Sequence, residues 1–133
     1  MQDLKNVTKY SFVEQDRPVL QAELKGNADY PDVKGLIHVY FLPNGIYLQG
    51  DIEGLPKTSE FAFHVHEGEE CAGHGEKILI LPDAMSDADG KASMQVYLDR
   101  VNSTQIAGRP LVLHLRVGSE TPEVACALLN RIL

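Results

Sequence analysis

The sequence predicts an all-β domain, an antiparallel β-sandwich or flattened barrel of seven to eight strands. Three observations predict it: short stretches in which apolar and polar residues alternate, turns rich in Gly, Pro and Asn between them, and the absence of a long 3.6-residue period. At 133 residues the chain suits one domain with one core, and no internal repeat or low-complexity tract competes with that.

Residues 1–17 are polar and mixed, with no clean period, and are read as an N-terminal extension before a domain at 18–133. Residues 19–25 alternate, with Leu20, Ala22 and Leu24 inward, and stop at Gly26-Asn27. Residues 35–42 put Ile37, Val39 and Phe41 on one face and His38 and Tyr40 on the other. Pro43-Asn44-Gly45 follows, and its Asn-Gly pair is the strongest hairpin signal in the chain. The return strand, 46–52, ends before Gly54-Leu55-Pro56.

Phe61-Ala62-Phe63-His64-Val65-His66-Glu67 is the next strand, with Phe61, Phe63 and Val65 facing the core. A short loop, 68–75, leads to the apolar run Ile78-Leu79-Ile80-Leu81, a strand or buried connection that Pro82 is expected to end. Asp87-Ala88-Asp89-Gly90 is a turn without the further acids of a calcium loop. Residues 92–98 alternate again, 101–108 form a loop or short helical turn, and 111–117 are expected to point Leu111, Leu113, Leu115 and Val117 inward. The last strand is 124–129.

Charge excludes several partners. Nineteen acidic against twelve basic residues leave a net charge of −7, which argues against nucleic acid and against an anionic membrane surface. No apolar run approaches the ~20 residues of a membrane span. Met1-Gln2-Asp3-Leu4-Lys5 lacks a signal-peptide core, which favours a cytoplasmic chain by default and an exported one if a leader has been removed.

The chemistry concentrates on three histidines. On a strand, His64 and His66 share the face opposite the phenylalanines, roughly 7 Å apart. His114 likewise lies opposite the apolar residues of its own strand. Set side by side, the two strands would bring three imidazoles together, a nitrogen-rich set suited to copper or zinc; the competing reading is a solvated surface. His38 has no ligand nearby in sequence, and Glu67, Glu69 and Glu70 read as a solvated acidic loop.

His64-Val65-His66-Glu67, Cys71, the Asp89-Gly90 turn, Gly108-Arg109-Pro110-Leu111-Val112-Leu113-His114 and Ala125-Cys126 resemble, in unbroken order, the copper-zinc superoxide dismutase family. The resemblance implies a Greek-key sandwich, one copper ion on His64, His66 and His114, a disulfide between Cys71 and Cys126, and an oxidoreductase activity against superoxide. It also makes a homodimer plausible.

The departures from that family are specific. Its zinc loop is reduced to 72–81, where His74 is the sole imidazole, so no zinc is expected and His74 is either a fourth copper ligand or a solvent-facing side chain. The loop that steers anions is missing between His114 and the final strand, and Glu123 stands where the family has its active-site Arg. Arg116, two residues beyond His114, shares the ligand face and is the candidate replacement cation, against the plainer reading of an exposed Arg. The expected function is superoxide dismutation by Cu(II)/Cu(I) cycling at a reduced rate. The alternative is a non-catalytic relative that carries copper or binds protein.

Overall fold

The computed structural model describes residues 17–132, so residues 1–16 of the expected extension, and residue 133, lie outside it. The elements in order are β1 (Leu20–Gly26), β2 (Lys34–Leu42), β3 (Gly45–Glu53), β4 (Glu60–His66), β5 (Lys77–Met85), β6 (Ala92–Asp99), the short helix α1 (Ser103–Ile106), β7 (Pro110–Leu115), β8 (Glu123–Leu128) and β9 (Asn130–Arg131). Eight strands follow one hydrogen-bonded path, β5-β4-β7-β8-β1-β2-β3-β6, and β9 adds to β1. Every pairing is antiparallel.

The two ends of this path, β5 and β6, lie against each other, so the sheet curls into a nearly closed, flattened barrel. The connections β3 to β4 and β6 to β7 cross between distant strands, while β1 to β2, β2 to β3, β4 to β5 and β7 to β8 join hydrogen-bonded neighbours, which is a Greek-key arrangement. The alternation read from the sequence supplies the interior. Leu20, Ala22 and Leu24 from β1, Ile37 and Val39 from β2, Phe61, Phe63 and Val65 from β4, and Leu111 and Leu113 from β7 fill one core.

Four local readings change. Pro82 does not end the strand, and β5 runs on to Met85. The reason is its position: β5 is an edge strand paired only to β4, and the register slips between the pairs Phe61↔Ala84 and Phe63↔Leu81, so Pro82 sits in an irregularity where no ladder donor is needed. Within the same run, Ile78 and Ile80 face outward, at 41% and 65% exposure, while Leu81 is buried.

The hairpin between β2 and β3 pairs Leu42 with Gly45, so Pro43 and Asn44 form its corner, rather than Asn44 and Gly45. Neither corner residue takes a positive φ, as a primed Asn-Gly turn would demand. Gly45 is needed instead for close approach, since a Cβ there would collide with the Leu98 carbonyl of β6. At the end of β7, the strand stops at Leu115, and Val117 is half exposed in an isolated bridge to Glu120. The 101–108 connection contains α1, whose Ile106 is buried against the barrel.

Candidate metal centre

β4 lies inside the sheet, between β5 and β7, and its two faces do different work. Phe61, Phe63 and Val65 enter the core; His64 and His66 point to the outer face. They are nonetheless only 7% and 6% exposed. The β4–β7 ladder pairs Ala62 with His114 and His64 with Val112, so His114 stands on the same face, one step along from His64. Ring centroids are 4.9 Å apart for His64 and His114, 5.8 Å for His64 and His66, and 5.8 Å for His66 and His114. One nitrogen from each of these three rings lies within 4.8 Å of the others, close enough for a single ion to reach all three.

Backbone carbonyls orient two of these rings. Nδ1–H of His66 donates to the Gly75 carbonyl at 2.9 Å, and Nδ1–H of His114 donates to the Thr121 carbonyl at 3.1 Å. A carbonyl only accepts, so each bond puts a proton on Nδ1, and in the neutral ring it leaves Nε2 with its lone pair free. These Nε2 atoms, together with Nδ1 of His64, are buried and meet no hydrogen-bond partner among the described residues.

Buried polar atoms are nearly always satisfied, so three orphans on three neighbouring rings make a place where a cation could be held. A proton is a poor candidate. Burial, and then the positive charge of His114, Lys77, His66 and Arg116, push the His64 imidazole down to about 4. Burial also pushes His114 below its ordinary value, and its bond to the Thr121 carbonyl opposes this only in part. His64 and His114 are therefore biased toward the neutral form that binds metal.

The short loop after β4 brings in His74. Its neck is closed by backbone bonds from Glu67 N–H to Glu76 O at 2.8 Å and from Gly75 N–H to Glu67 O at 2.7 Å. The disulfide Cys71–Cys126, with Cα atoms 6.0 Å apart, ties the loop to β8. With its sulfur in the bridge, Cys71 offers no free thiol beside His74. The His74 ring lies 4.2 Å from that of His66, centroid to centroid, and is partly buried, its side chain 20% exposed. Its Nε2 meets Glu123 Oε1 at 3.0 Å, and its Nδ1 is a fourth buried nitrogen without a partner.

The chain matches no protein-family model and no curated protein. What can be said of the site thus comes from its own geometry.

Arg116 follows β7 directly and is close enough for its charge to depress the His64 imidazole. Its guanidinium is already engaged, donating to both carboxylate oxygens of Asp83 at 2.9 and 3.0 Å, with Glu60 at 3.5 Å. His38, on β2, instead meets Gln21 Oε1 at 3.1 Å and takes no part in the cluster. Sequence reasoning missed the Gly75 and Thr121 carbonyls, because a backbone acceptor leaves no mark in residue identity; the Gly at the end of a short loop was the sole hint. It also read Glu123 as a missing Arg. The β7–β8 register, which pairs Glu123 with His114, is what puts that carboxylate at the histidine cluster.

Proposed function

We propose that this chain is a superoxide dismutase-like protein holding one copper ion on His64, His66 and His114, with His74 as a further ligand. The observation that carries this reading is the convergence of three buried, unpartnered imidazole nitrogens within 4.8 Å. An all-nitrogen donor set of neutral imidazoles fits copper by its chemistry. When bound, copper supplies one-electron cycling between Cu(II) and Cu(I), by which two superoxide ions and two protons become dioxygen and hydrogen peroxide.

The protein's own part is fixed orientation. The Gly75 and Thr121 carbonyls hold two tautomers before any ion arrives, so little reorganisation accompanies binding. Arg116 is the cation on hand to attract an anionic substrate, and Asp83 and Glu60 spend much of that charge locally. That engagement favours a second reading, a copper carrier without rapid turnover.

A copper titration followed by electron spin resonance tests the site. One equivalent is expected to give a nitrogen-rich tetragonal Cu(II) signal that His64→Ala abolishes or alters, and no signal in the parent protein would overturn both readings. Superoxide consumption by the loaded protein then separates them. Dismutation well above that of free buffer supports the enzyme, and a fall in Arg116→Ala assigns the attraction to Arg116.

A further inference from the structure

Resting on the copper reading above, we propose that Glu123 is the positioning residue of the fourth imidazole: its carboxylate takes the Nε2–H of His74 and so turns the Nδ1 lone pair of His74 toward the nitrogens of His64, His66 and His114.

The geometry is particular to this ring. His66 and His114 each donate from Nδ1 to a carbonyl and present Nε2. His74 does the reverse, with Nε2 at 3.0 Å from Glu123 Oε1 and Nδ1 buried and unpartnered. An ionised carboxylate is an acceptor only, so the proton of a neutral His74 must sit on Nε2. Exchanging the two nitrogens would set a lone pair against an anion and leave a buried N–H without an acceptor beside the His66 ring. Glu123 thus selects the tautomer, as a carboxylate behind a ligating imidazole does at metal sites generally.

Two further contacts fix the carboxylate's place. Glu123 is the first residue of β8 and stands opposite His114 in the ladder, and its carbonyl accepts from Asn27 Nδ2 at 2.6 Å. The bridge Cys71–Cys126 lies three residues from His74 on one side and three from Glu123 on the other, so the loop and β8 are joined twice along the same seam.

The test compares Glu123→Ala, Glu123→Gln and His74→Ala with the parent protein by two readouts. In the metal-free protein, long-range proton–nitrogen NMR should show His74 protonated on Nε2. That preference should be lost in Glu123→Ala and kept in Glu123→Gln, whose amide oxygen still accepts. With Cu(II) alone added, spin resonance should count four nitrogens in the parent and in Glu123→Gln, and three in Glu123→Ala and His74→Ala.

Copper affinity should fall about 10- to 100-fold in Glu123→Ala. Glu123→Gln keeps the geometry but removes a negative charge that favours the more oxidised ion, so its midpoint potential should rise, which a purely structural role would not produce. A parent protein that binds no copper overturns the copper reading and this proposal with it. A parent that binds copper, with Glu123→Ala or His74→Ala giving the parent's nitrogen count, overturns the proposal and leaves the three-histidine site standing. Should Glu123→Ala fail to fold, the contrast between Glu123→Gln and His74→Ala decides alone: a four-nitrogen signal in both overturns the proposal.

Discussion

A ring nitrogen buried without a partner has to be read together with its proton affinity, and His64 shows why. Its folded-state value is lowered from 6.5 to about 4, chiefly by burial. Above pH 6.5 the ring is neutral in both the folded and the unfolded chain, so it contributes nothing to pH dependence. Between 6.5 and about 4 the unfolded chain takes up a proton that the folded chain refuses, so unfolding is favoured as pH falls through this window. The metal-free protein should therefore lose urea resistance between pH 6.5 and 4, and His64→Ala should lose less over the same range. Identical slopes for the two proteins would remove His64 from the acid sensitivity. Much of this residue's role was legible beforehand, because strand alternation alone puts His64 and His66 opposite Phe61 and Phe63. The depth of its burial was not, since this depends on a loop and a neighbouring strand that sequence spacing does not locate.

Strand β5 carries the clearest test at the level of an element. Leu81 is buried in the core while its neighbour Ile80 is 65% exposed, although both belong to one apolar run. Leu81→Ala should cost about 2 to 5 kcal/mol of folding stability, the range for truncating a buried leucine. Ile80→Thr should change it by no more than about 0.5 kcal/mol, because it removes little buried surface and keeps a β-branched side chain. Chemical denaturation of both variants checks the pair; similar losses would mean that Ile80 is covered in solution. The run is also where pattern reading reached its limit. Four consecutive apolar residues carry no alternation, so the inward pair could not be told from the outward pair, and Pro82 is a stop signal only where its missing N–H would be required. The same limit explains Val117, whose apolar side chain continues the period of β7 although the chain has already turned away toward Glu120. By contrast β1, β2, β3, β4 and β6 each put one alternating face in the core, with Phe41 at the end of β2 the exception at 48% exposure, and their places were readable to within a residue or two.

Across the whole molecule, one covalent closure borders the histidine cluster. The bridge from Cys71 to Cys126 spans 55 residues and joins the loop after β4 to β8, next to the last strand of the barrel. Closing a loop of that length removes chain entropy from the unfolded state worth about 4 kcal/mol, if the native geometry accepts the bond without strain. Cys71→Ser combined with Cys126→Ser should thus lower the free energy of unfolding by about that amount in urea. The effect should reach beyond stability, because the tie lies on the same seam as the contact between His74 and Glu123. His64 and His114 sit on strands, held by the β4–β7 ladder whether or not the bridge is present. His74 has only its loop, and the Gly75 carbonyl that orients His66 belongs to the same loop. If the proposed copper site is right, loss of the bridge should therefore weaken copper binding through His74 and His66 and leave His64 and His114 in place, which nitrogen counting in the double variant can follow. Undiminished affinity in a folded double variant would show that β4 and β7 alone build the site.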